Sequence, residues 1–256
     1  MSEAPAYERR KYGSNDLRLV LCQVRFPILL RFDEPAFQAK VQDALRADYP
    51  RMHQEQQVAV TVGPGGLVST PAGVQWRYED LQAEWSVVLQ GNSAGLETKK
   101  YRVFEDFAAR LAPLLRVLTE LGVTVCERLG LRYINEFRHE AAQLPQDWKS
   151  LLHEDLLGIA GGDLWSGQIV HAIQEIRTKR SDGSFVVRHG YVNPDDGRGS
   201  YYLLDLDYFD EEPRSFDEGG ILSRLDDYHE EISKAFEMSL KPAMREHLGE
   251  EATIDA

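Results

Sequence analysis

Two stretches decide the fold: Leu17-Arg18-Leu19-Val20-Leu21-Cys22-Gln23-Val24-Arg25-Phe26-Pro27 and Arg128-Leu129-Gly130-Leu131-Arg132-Tyr133-Ile134-Asn135. Both are apolar, aromatic and β-branched runs of strand length, the first closed by a proline. Val24-Arg25-Phe26 falls on Leu131-Arg132-Tyr133, position 131 against 24, an offset of 107. At that offset Val41, Ala44, Leu45 and Tyr49 fall on Trp148, Leu151, Leu152 and Leu156, and Leu96 and Tyr101 fall on Leu203 and Tyr208. Beyond Tyr208 the offset becomes 114, with Leu111, Leu114 and Leu118 matching Leu225, Tyr228 and Ile232, so the second half carries an insertion at Glu211 to Gly219. One offset that survives elements of different period predicts an internal duplication.

The elements around these stretches repeat in order. After Leu17 to Pro27, Asp33-Glu34-Pro35 starts a helix that Pro50 stops. Strands follow at Val58 to Val62, Val74 to Tyr78, Ala83 to Leu89 and Gly95 to Tyr101, with a turn at Gly63-Pro64-Gly65-Gly66. A helix from Phe104 to Gly122 contains Pro113. The second half reads as strand Val123 to Phe137, helix Asp147 to Leu157, strands Ile169 to Lys179, Phe185 to Val192 and Ser200 to Tyr208, then a helix from about Gly220 to His247 broken before Pro242. The expected fold is α+β. Two strand–helix–strands–helix halves, 17–122 and 123–248, form one fused domain with a curved antiparallel sheet on long helices, a helix-grip or TATA-binding-protein-like saddle. Residues 1–16 are expected to be a flexible tail and 249–256 a second tail.

With 29 Lys and Arg against 42 Asp and Glu, the net charge is −13. Such a surface repels phosphate backbones and anionic headgroups, which weighs against nucleic-acid and membrane partners and favours a protein with a basic surface. The chain is 43% apolar, enough to build a core and to set disorder aside. Cys22 and Cys126 are too few for a disulfide framework and too far apart in sequence for a zinc spacing. Neither a signal segment nor an apolar run of about 20 residues is found, so a cytoplasmic protein is expected.

No catalytic residue, metal ligand set or cofactor site is assigned. Gly91-Asn92-Ser93-Ala94-Gly95 fits G-x-S-x-G, but a nucleophile elbow needs a helix directly after it, and Leu96 to Tyr101 alternates like a strand, so a hairpin turn is expected. The seven histidines share no ligand spacing. Asp205 and Asp207, two apart on a strand, share a face and are read as solvated, with Leu204 and Leu206 turned inward. Arg177 to Gly183, with Arg188, forms a basic hairpin in an acidic chain; it lacks the E-x-E-x-K strand of triphosphate-tunnel enzymes.

Arg128 and Arg132 lie on one face of an apolar strand that also carries Asn135. An arginine there needs a carboxylate, with Glu97, Asp205 and Asp207 as candidates. Two readings stay open: an ion-pair network that fixes strand register, or a contact for an anion or a partner's carboxylate. Candidate ligand or partner contacts are therefore Arg128, Arg132, Asn135, Arg177, Asp205 and Asp207.

Through LCQVRFP at Leu21 to Pro27, Leu96-Glu97-Thr98 with Tyr101, Arg128 to Asn135, Leu203-Leu204-Asp205-Leu206-Asp207, His229 and Phe236-Glu237, the chain resembles a sporadically distributed family of uncharacterised, conserved hypothetical prokaryotic proteins. The resemblance spans about Leu17 to Leu248. It assigns no activity; its patchy distribution implies an accessory function, such as phage defence. The expected function is a non-catalytic protein-interaction or regulatory protein. The alternative is a small-molecule or nucleotide-binding protein, or an enzyme, using the groove between the halves.

Overall fold

The computed structural model describes residues 10–13, 16–63, 66–165, 167–194 and 197–251, with the backbone alone at 57–63, 66–72 and 251. The Pro64-Gly65 turn, Asp195-Asp196 and the outer parts of both expected tails, 1–9 and 252–256, lie outside the described residues.

In chain order the elements are β1 (Lys11–Tyr12), β2 (Leu17–Arg25), α1 (Pro35–Leu45), β3 (Arg51–Gly63), β4 (Gly66–Glu79), β5 (Trp85–Gln90), β6 (Ser93–Thr98), α2 (Phe104–Glu120), β7 (Val125–Cys126) and β8 (Arg128–Phe137). Three short 3-10 helices follow at Pro145–Ser150, Glu154–Leu156 and Gly158–Gly161. The chain then forms β9 (His171–Lys179), β10 (Ser184–Val192), β11 (Tyr201–Asp210), β12 (Arg214–Ser215), α3 (Glu218–Ser239), α4 (Pro242–His247) and β13 (Glu250–Glu251). The fold is α+β, with antiparallel sheet and few helices, the longest of 22 residues.

Two compact units divide the chain: Val20–Leu131 with Asp210–Asp226, and Met1–Leu19 with Arg132–Phe209 and Asp227–Ala256. In the Val20 unit the strand order is β3-β4-β5-β6-β2, and every neighbouring pair is antiparallel. Alternation places Tyr78, Val87, Leu89, Leu96, Cys22 and Val24 on one face, all buried. Onto it pack α1, through Phe37, Val41 and Leu45, and α2, through Phe107, Leu111 and Leu115; Trp85 meets Phe107 with ring centroids 6.0 Å apart. Glu34 is extended because Pro35 follows it, and Pro35 then occupies the first turn of α1, where its missing N–H costs nothing.

In the Arg132 unit the order is β8-β11-β10-β9. Tyr202, Leu204, Leu206 and Tyr208 of β11 face inward. Tyr208 stacks on Tyr228 at 4.6 Å and Tyr133 on His229 at 5.8 Å, which seats α3, while Trp148 packs on Tyr202 at 5.4 Å. In this unit β1 and β13 pair, Lys11 opposite Glu251 and Tyr12 opposite Glu250.

Among the differences from the sequence reading, β1 and β13 form within the expected tails, β3 starts earlier than expected, and two second-half elements change in kind. The expected helix Asp147 to Leu157 is replaced by the 3-10 helices: Pro145 starts the segment, Leu152 leaves it to bridge Leu240, and Gly158 turns with φ +46°. Buried Trp148, Leu151 and Leu152 satisfy the hydrophobic spacing without an α-helix. The strand Val123 to Phe137 is two pieces, because β7 pairs with β12 while Glu127 N–H donates instead to Arg25 O. Among the described residues no helix is long and apolar enough to cross a membrane.

Candidate functional site

On the outward face of the Arg132 unit, charges of alternating sign run across four strands. Register places Arg188 opposite both Asp205 and Glu175. Arg132 Nε donates to Asp205 Oδ1 at 2.7 Å and its Nη2 to Oδ2 at 2.6 Å, a bidentate fork. Arg188 Nη1 lies 3.5 Å from Asp205 Oδ2, and Arg188 Nε donates to Glu175 Oε2 at 2.5 Å. The order across β8, β11, β10 and β9 is thus Arg132, Asp205, Arg188, Glu175.

Asp205 is a correction to the sequence reading: its side chain is 3% exposed, not solvated. Two-residue alternation does put it opposite Leu204 and Leu206, but two guanidinium groups close over it. The fork to Asp205 raises the Arg132 pKa above the ordinary arginine value; burial opposes this, and the charges of Asp205 and then Asp207 add to it. Arg132, Asp205 and Asp207 therefore come together, and Arg132 and Asp205 close on each other.

Arg128 does not join them. Four residues of strand separate its Cα from that of Arg132 by about 13 Å. Its Nη1 donates to Gln23 Oε1 at 3.3 Å and its Nε lies 3.9 Å from Glu211 Oε1, a carboxylate that was not among the expected candidates. The guanidinium lies over Gly130, where a Cβ would stand 2.9 Å from Nη1. Glu97 instead receives Arg77. Asn135 is buried and donates to Leu204 O at 3.0 Å, a bond that ties β8 to β11 and leaves the residue no outward role. Arg177 lies on the basic hairpin, its Nη2 donating to Ser184 Oγ at 3.4 Å and its guanidinium 5.1 Å from the centre of the Phe209 ring.

The sequence reading missed a second network, on the outward face of the Val20 unit. Arg77 Nε donates to Glu55 Oε1 at 3.1 Å and Nη1 to Glu97 Oε2 at 2.8 Å. Gln75 donates to Glu55 at 2.5 Å, Gln90 to Gln75 at 3.1 Å and Ser93 to Gln90 at 3.0 Å. Burial alone would raise the Glu55 carboxyl; hydrogen bonds from Gln75 and Arg77, with the charge of Arg77, outweigh it and hold the group below the usual glutamate range. Gln23, Gln75, Arg77, Gln90, Ser93, Gly95 and Glu97 are among the residues that line a cleft of about 210 Å³. A Cβ at 95 would stand 2.5 Å from Cys22 O, so this position takes glycine alone. The signal in sequence was faint, since Arg51-Met52-His53-Gln54-Glu55-Gln56 is too polar to read as strand.

A hairpin does occupy G-x-S-x-G, but the turn is narrower than the motif: β5 and β6 flank two residues, Gly91-Asn92, Ser93 to Gly95 already belong to β6, and no helix directly follows Ser93. Cys22 and Cys126 are buried free thiols whose pKa values burial pushes up, which makes both poor nucleophiles. His189 Nδ1 lies 3.0 Å from the Tyr202 hydroxyl, which donates to Leu156 O at 2.6 Å; burial pulls its pKa down and keeps the ring neutral. Among the described residues no group of three or more His, Cys, Asp or Glu side chains is placed to hold a metal ion. The sequence matches no protein-family model and no curated protein.

Proposed function

We propose that the chain is a non-catalytic protein-interaction or regulatory protein of an accessory prokaryotic system, for example phage defence, and that its partner is a protein with a basic surface. The observation that carries this reading is where the charges end up. Arg77, Arg132 and Arg188 are bound laterally to carboxylates of their own sheet. On α3, Asp226, Asp227 and Glu230 stand exposed, and among the described residues Asp226 and Asp227 carry no ion pair. Cations tied down and carboxylates left in water give an outward field that attracts a basic protein and speeds its docking.

A small-molecule or nucleotide reading has one observation in its favour, the polar cleft that Gly95 helps to line. Its volume of about 210 Å³ is below the about 300–1,000 Å³ of typical ligand sites, and Arg77, its one cation, already holds two carboxylates. The protein-partner reading is preferred for that reason.

The two units also support a duplicated origin, which we propose with a helix-grip or TATA-binding-protein-like saddle as its form. Each has a leading strand, β2 or β8, beside the last strand of its meander, β6 or β11. Affinity capture with the full chain from a native host lysate tests the function. A partner held by the wild type and lost by the double variant Asp226→Lys/Asp227→Lys supports it; equal recovery by both rejects it.

A further inference from the structure

We propose that the chain pairs with a second copy of itself through the outer edge of β9, a step beyond the partner reading that stands without it. In the order β8-β11-β10-β9 this strand is the end. It runs nine residues in unbroken register with β10, with eight side chains exposed and the ninth half-buried. Among the described residues, backbone bonds outside the ladder touch only its flanks, Asn193 N–H to Val170 O and Arg180 N–H to Gly183 O. Natural sheets blunt such an edge with proline, a bulge, short length or charged side chains; β9 has none of the first three, and its charges Glu175 and Arg177 are of opposite sign, so they can pair with a second copy instead of repelling it. It also shows water two isoleucines, Ile173 and Ile176.

The sequence of β9 is complementary to itself. An antiparallel pair about a two-fold axis at Ile176 sets Ile176 against its own copy, Glu175 opposite Arg177 of the second copy, and Arg177 opposite Glu175 of the second copy. The remaining basic residues, Lys179 and Arg180, fall at opposite ends of the pair, so they do not repel across it. Glu175 and Arg177 lie on the outward face, where the charge row ends on Glu175, 56% exposed. Arg177 of a second copy supplies the next sign in the row, extending Arg132, Asp205, Arg188, Glu175 by one strand. Ile176, on the inward face, covers its copy. Main-chain bonds provide affinity and the charge pairs fix register, as in strand addition generally.

Sedimentation of the full chain from about 1 to about 100 µM tests this, a range that brackets a Kd of about 10 µM. The wild type is expected to reach twice the monomer mass. Ile176→Asp, at an exposed position, is expected to sediment as a monomer throughout. Glu175→Arg and Arg177→Glu are each expected to be monomeric alone and to form a mixed dimer when combined, because each strand then carries one sign. A wild type that stays monomeric at about 100 µM, an Ile176→Asp variant as dimeric as the wild type, or charge variants that fail to associate on mixing would each overturn the proposal.

Discussion

Replacing Arg132 with methionine tests whether the Arg132–Asp205 fork is structural. Two charge-assisted hydrogen bonds to Asp205 are lost, and the carboxylate, 3% exposed, keeps only Arg188 at 3.5 Å. Leaving one partner of a buried pair alone costs about 3–5 kcal/mol. Arg132 is 33% exposed and Arg188 remains, so the loss is discounted to about 2–3 kcal/mol. At about 2–4 °C per kcal/mol for a chain of this size, Tm falls by about 4–12 °C. Urea unfolding of Arg132→Met, Asp205→Leu and the double variant gives the cycle. The double variant is expected to recover most of the loss, since no buried charge is left unpaired. A single cost below about 1 kcal/mol, the range of an exposed pair, or purely additive costs would refute the buried-fork reasoning.

Other outcomes follow from the same geometry. Gly190→Ala is expected to be the most destabilising of three glycine changes, because φ is +150° and a Cβ would stand 1.8 Å from Ala172 O; Gly95→Ala, facing Cys22 O at 2.5 Å, comes next, and Gly130→Ala, which only displaces the end of Arg128, comes last, an order that urea midpoints check. Burial, against a hydrogen bond from Tyr12 and the charge of Arg245, raises the Glu237 pKa. A raised carboxyl contributes fully below the unfolded value of about 4.3 and loses that contribution as pH rises through the folded value, so Glu237→Gln is expected to flatten the decline in stability above pH of about 4; equal pH slopes for variant and wild type would contradict this. Cys22 and Cys126 are expected to resist a thiol reagent until urea unfolds the chain, and rapid labelling of the native protein would contradict their burial.

Where the sequence was legible, a local rule had no competitor. Pro35 after Glu34, the turn at Gly91-Asn92 and Pro242 mark α1, the β5–β6 hairpin and the break between α3 and α4 as expected. Asp205 was found as a partner of Arg132, but its burial was not, because alternation says which face a side chain takes and not what lies over it. Arg128 was misplaced for a related reason: a shared face of β8 does not mean shared neighbours, and across the sheet it meets Gln23. The stretch Asp147 to Leu157 failed because Trp148, Leu151 and Leu152 can be buried by an α-helix or by 3-10 turns alike, and the glycines that follow end any helix early. Arg77, Glu55 and Glu97 converge only through the pairing of β4 with β3, of β4 with β5 and of β5 with β6, which no local pattern encodes.

The most direct test of the central claim is a calorimetric titration of the captured partner against the full chain over a range of salt concentrations. The acidic outward side of α3 predicts that Kd rises steadily with salt and that Asp226→Lys/Asp227→Lys raises it at least about tenfold, about 1.4 kcal/mol, at low salt. A Kd indifferent to both salt and the double variant would contradict it.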